Sequence, residues 1–163
     1  MERVDKFIVK GLFYACAILM FSMLSIITAQ VLSRYIFSSS LTWSEELGRY
    51  IFVWMSFLGM AIGVKHGSHV ALDILVKKLT GVSQKLLMLL NNVLVLFFGL
   101  CLSYSGFQLV ELGMKQTSPT LQLPMQYVYM VIPISGVILV YFVLSEIIKM
   151  FKGQAPKGKG GVA

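Results

Sequence analysis

The sequence predicts an all-α membrane protein of four transmembrane helices, with both termini cytoplasmic and a short amphipathic helix in the inner loop. Three observations predict it. The 163-residue chain is 57% hydrophobic and only 13% charged, where a soluble domain carries about 25% charged residues. Its mean hydropathy is +0.81. Its charges fall in short clusters separated by charge-free windows at 11–33, 50–64, 86–110 and 116–145.

A helix needs about 20 residues to cross some 30 Å of hydrocarbon, and the first and third windows meet that directly. Spans are therefore expected at about 11–33, 43–64, 86–110 and 125–145, within a membrane domain at 1–153. QAPKGKGGVA, at 154–163, reads as a flexible basic tail. The first span follows Arg3, Lys6 and Lys10. Its apolar run exceeds a signal-peptide core and no A-x-A site follows, so it reads as a retained helix. Cys16 and Cys101 belong to different spans at different depths, too far apart to bridge.

The second window is too short alone and is extended backward through LTWSEELGRY. Thr42 and Glu45 match a capping box, and a helix from Trp43 to Val64 is about 33 Å long. Glu45 and Glu46 then sit where the helix dipole favours negative charge, and Arg49 follows them at i+4 and i+3. At 100° per residue Glu45, Arg49, Phe52, Ser56, Gly59, Gly63 and Gly67 share one side, opposite Trp43, Leu47, Tyr50 and Trp54. Small residues at four-residue spacing admit a close helix, so this face should pack on a neighbour, in this chain or another.

In the inner loop His69, Asp73 and Lys77 form a polar stripe beside Leu72, Val76 and Leu79. That pattern suits an amphipathic helix on the membrane face or an extension of span two bent at Gly67. In the third span Asn91 and Asn92 suit bonds between helices. The fourth begins after SPTLQLP (118–124), and Pro133 should kink it by freeing the carbonyl of Tyr129.

Topology follows from the basic residues. With four spans and both termini inside, 11 lie on the inner side against three (Arg34, Arg49 and Lys115) outside, as the positive-inside rule asks. All charges lie near predicted membrane boundaries, whereas a transporter acting alone is expected to carry an ionisable group or broken helix at the midplane. His66 and His69 lie outside the spans, which disfavours haem ligation. The pattern contains no catalytic triad, metal-ligand cluster or phosphate loop. These residues describe a small membrane subunit. Its rivals are a self-sufficient multidrug-type transporter, a membrane redox enzyme and a structural subunit of an unrelated complex.

Specific blocks then narrow the choice. VLSRYIF (31–37), LTWSEELGRYIFVWMSFLGMAIGVKHGSHVALDIL (41–75) and SPTLQLPMQYVYMVIPISG (118–136) together resemble the small membrane subunit of TRAP (tripartite ATP-independent periplasmic) transporters, the DctQ-like family. The likeness spans nearly the whole chain; Lys65 stands where that family often has Arg. The resemblance implies a bacterial inner-membrane subunit that is not an enzyme, binds neither solute nor sodium, and needs no cofactor. It also implies two partners: a large membrane subunit that moves an organic anion, such as a C4-dicarboxylate or sialic acid, with sodium, and a periplasmic solute-binding protein. Membrane lipid would surround the chain, which ends soon after span four and so should not be fused to the large subunit. Residues carried over as partner contacts or structural anchors are Arg34, Trp43, Glu45, Glu46, Arg49, Trp54, Gly59, Gly63, His69, Asp73, Pro119 and Pro124.

Overall fold

The computed structural model describes residues 2–36, 41–65 and 82–151. The expected inner-loop helix with His69 and Asp73, and the basic tail, lie outside the described residues. Within them the chain forms α1 (Glu2–Ile36), α2 (Thr42–Lys65), α3 (Val82–Gly113), the single turn α4 (Gln126–Tyr129) and α5 (Val131–Phe151). Among the described residues four segments are long and apolar enough to cross a membrane: Arg3–Ile36, Thr42–Lys65, Leu86–Gly113 and Gln126–Met150.

These helices run beyond the apolar windows that suggest them. A helix of 35 residues such as α1 is about 52 Å long, well over the 30 Å or so of hydrocarbon, so it carries Arg3, Lys6 and Arg34 outside the apolar layer or tilts. Extension of α2 back to Thr42 is as expected. The fourth span is interrupted at Met130, three residues before Pro133, whose ring nitrogen has no hydrogen to give Tyr129. Met130 itself stays in the right-handed helical region.

Neighbours run in the order α1, α2, α5, α3, with α4 and α5 both against α3. A small core of Leu12, Leu58, Ala61, Val131 and Phe142 holds α1, α2 and α5 together, with Trp54 and Phe57 packed on it. Many large apolar side chains point outward instead; Phe21 and Phe97 are 73% and 67% exposed. In hydrocarbon such exposure costs nothing, and helices associate through close packing and buried polar contacts.

The tightest such packing joins α3 to α5. A Cβ on Gly106 would stand 2.7 Å from the backbone nitrogen of Pro133, and one on Gly136 would stand 2.5 Å from Ser103 Oγ and 2.9 Å from its nitrogen. Gly99 and Gly113 meet α5 and α4 in the same way, so Gly99, Gly106 and Gly113 form a seven-residue ladder along one face of α3. Asn92 adds a bond across this pair, its amide lying 3.4 Å from Met150 Sδ. Cys16 and Cys101 are both free thiols.

Candidate partner-contact site

The site begins at the first turn of α2. Ser44, which is buried, donates from both its backbone nitrogen (3.2 Å) and its hydroxyl (2.6 Å) to the carbonyl of Leu41. This closes the turn in place of the expected reach of Glu45 back to Thr42, because Glu45 points along the helix to Arg49. Glu45 and Glu46 stand about 100° apart on the helix and so meet different surroundings.

Glu45 faces outward. Its Oε1 accepts from Arg49 at 3.3 Å, and the two side chains are 70% and 68% exposed. Phe52 and Ser56 continue that face and are also exposed. A Cβ on Gly59 would meet nothing within 4 Å, and Gly63 is half-buried. The face that the sequence assigns to helix packing is therefore turned away from the rest of this chain along Glu45–Gly59. An exposed i,i+4 pair of this kind contributes only about 0.3–0.5 kcal/mol, too little to explain an arginine inside a spanning helix.

Glu46 faces inward and is buried. Tyr50 Oη donates to its Oε1. Its Oε2 accepts from the backbone nitrogens of Thr120 and Leu121, each at 3.0 Å. Those two successive N–H groups form a concavity suited to an anion. They are presented by a short hairpin in which Thr117 bridges Pro124, Ser118 N donates to Leu123 O at 2.9 Å, and Met125 N donates to Gln116 O at 2.9 Å. Gln122 takes a φ of 54° at the tip, and Leu123 N donates to the buried Ser118 Oγ at 3.2 Å. One carboxylate thus fastens the SPTLQLP loop to α2.

A cleft of about 590 Å³ opens between them, lined by Thr42, Glu45, Arg49, Gln116, Pro119 and Thr120 among others. The remaining expected residues take different places. Trp43 is exposed, Trp54 is half-buried against the core, Arg34 is exposed in the last turn of α1, and Pro124 sits in the bridge. His69 and Asp73 lie outside the described residues. Among those described, no three His, Cys, Asp or Glu side chains form a group able to hold a metal ion.

A second polar cluster, at the opposite end of the bundle, escapes the sequence reading. Asp5 is 3% exposed, and its Oδ2 accepts from Lys65 at 2.7 Å and Lys149 at 2.9 Å. Ser145 donates to the same oxygen at 3.3 Å and Tyr141 to Oδ1 at 3.2 Å. Three helices are fastened by this one carboxylate, which places the start of α1 and the end of α5 at the same end. The available signal was an acid, Asp5, between Arg3 and Lys6 at the mouth of the first span, with one lysine closing each of two other spans.

Comparison with known proteins supplies the family. The family described as tripartite ATP-independent periplasmic transporters, DctQ component, matches residues 23–153. A Haemophilus influenzae protein whose name makes it a TRAP transporter small permease protein is 27% identical, over 95% of this chain and 94% of its own. The sialic acid TRAP transporter small permease protein SiaQ of Vibrio cholerae is 28% identical, over 82% of this chain and 78% of its own. The isethionate TRAP transporter permease protein DctMQ of Oleidesulfovibrio alaskensis is 32% identical over 71% of this chain, which is matched to 20% of that longer protein.

Proposed function

The chain belongs to the DctQ component family of tripartite ATP-independent periplasmic transporters, and on that premise we propose that it is the small permease subunit of a sodium-coupled, binding-protein-dependent importer of an organic anion. It lies in a bacterial inner membrane with its Lys-rich end and both termini in the cytoplasm, as the positive-inside rule asks. A large membrane subunit carries the anion and the sodium. This chain braces that subunit and offers the rim of the Glu46-fastened loop to the periplasmic binding protein.

The observation that carries this reading is the match over residues 23–153. The longer DctMQ relative supports a large partner, since this chain corresponds to only 20% of it. The outward face of α2 supports it too. Arg49 is 68% exposed within a spanning segment, and charge facing lipid is costly, so a protein neighbour is the natural cover. The solutes in the relatives' names, sialic acid and isethionate, are both organic anions and support that substrate class.

Affinity purification of the tagged chain from its native membrane in mild detergent tests the reading. A large multi-span membrane protein should co-purify in stoichiometric amount. Recovery of the chain alone, under conditions that preserve other membrane complexes, would refute it.

A further inference from the structure

The basic end of the bundle holds a concavity separate from the α2–loop rim. It is a cleft of about 570 Å³ between the first turns of α1 and the end of α2. Lys6, Lys10 and Tyr14 line it one helical turn apart, so they stand in a single column. The Lys10 ammonium lies 5.9 Å from the centre of the Tyr14 ring. Val9 and Phe13 form a second, apolar column beside the first, with Phe13 63% exposed. Lys65 closes the cleft from α2, held at 2.7 Å by Asp5.

The charges of this cleft do not balance. The lining sets the ammonium groups of Lys6, Lys10 and Lys65 against one carboxylate, Asp5, which Lys65 shares with Lys149. A further carboxylate, Glu146, acts on Lys65 and Lys149 from α5. Among the side chains the structure describes, which do not include that of Glu2 one turn before Lys6, none forms an ion pair with Lys6 or Lys10. The neighbouring wall is apolar and belongs to the spanning segment Arg3–Ile36. Such a cleft asks for a ligand with an anionic head and a hydrocarbon tail. A soluble phosphate satisfies the lysines and leaves Val9 and Phe13 uncovered.

We propose that the Lys6–Lys10–Lys65 cleft binds an anionic phospholipid, with its phosphate between Lys6 and Lys10 and an acyl chain along Val9 and Phe13. Basic pockets between transmembrane helices select acidic headgroups in this way. The Asp5 ion pairs fix Lys65 and the start of α1 relative to each other, so the cleft keeps its shape before lipid arrives.

Native mass spectrometry of the full-length chain tests this. The delipidated protein is titrated with equal amounts of phosphatidylglycerol and phosphatidylethanolamine. Phosphatidylglycerol should be retained preferentially, and the preference should fall about fivefold for each of Lys6→Gln and Lys10→Gln. Lys115→Gln, at the other end of the bundle, should leave it unchanged. Both α1 lysines are exposed, so the variants should keep the wild-type melting temperature. Equal retention of the two lipids overturns the proposal, as does a preference that survives the double variant or falls equally in Lys115→Gln. Displacement of the lipid by millimolar inorganic phosphate would reassign the cleft to small anions. Loss of the preference once the large partner is bound would hand it to protein.

Discussion

Glu46 and Leu121, 75 positions apart in the chain, meet through a 3.0 Å hydrogen bond from the Leu121 backbone nitrogen to the Glu46 carboxylate. Thr120 N makes the matching bond to the same oxygen. The loop is held by its backbone, so its conformation depends on Glu46 more than on its own side chains. Glu46→Gln puts an amide where two N–H groups and a hydroxyl all donate. Amide hydrogen exchange at Thr120 and Leu121 should accelerate, while Met125 N, bonded to Gln116 within the hairpin, stays protected. Unchanged exchange at 120 and 121 would remove Glu46 from this role.

Asp5 fastens three helices with one carboxylate. Asp5→Asn leaves the Lys65 and Lys149 ammonium groups facing a neutral amide and each other. Breaking a buried ion pair on one side typically costs about 3–5 kcal/mol. A corresponding loss should appear in denaturant unfolding of the purified chain, and Asp5→Asn combined with Lys65→Met should recover part of it. Wild-type stability in Asp5→Asn would contradict the clamp.

Two glycines should behave oppositely. Gly106→Ala forces a methyl to within 2.7 Å of the Pro133 nitrogen. That is backbone, which cannot swing aside, so overpacking should cost about 1–3 kcal/mol. Gly59→Ala enters open space in this chain. It should leave the isolated subunit as stable as wild type while lowering recovery of the complex. Thermal unfolding of each variant, paired with co-purification, separates the two effects.

The sequence made the architecture legible for a plain reason: hydrocarbon forbids scattered charge, so four charge-free windows mark four spans. The backward extension of α2 followed from the length a span needs and from the Thr42–Glu45 capping pattern, and the non-helical 118–124 segment from its two prolines. Contacts between helices were less legible. Glycine spacing was read at Gly59 and Gly63, where helical projection aligned it with charges, yet the tight intrachain seam lies at Gly99, Gly106, Gly113 and Gly136. Three of those glycines stand seven residues apart on α3, without the four-residue spacing and aligned charges that marked a face of α2. Asp5 was hidden because its partners stand 60 and 144 residues away, and Glu46 because it binds backbone N–H groups, which every loop possesses.

The Glu45–Arg49 pair distinguishes a helix start from a docking face. As an exposed pair it should contribute no more than about 0.5 kcal/mol to this chain. Glu45→Ala and Arg49→Ala should therefore leave subunit stability unchanged while reducing the large partner recovered with it. Equal loss of stability and partner would make the pair a local brace; no effect on either would leave it without a role.

Uptake by proteoliposomes tests the central claim most directly. Vesicles are prepared with this chain alone, with its large partner alone, and with both, then given the binding protein, a labelled organic anion and an inward sodium gradient. Accumulation should occur only where both membrane subunits and the binding protein are present. Anion uptake by vesicles containing this chain as their sole membrane protein would contradict the account.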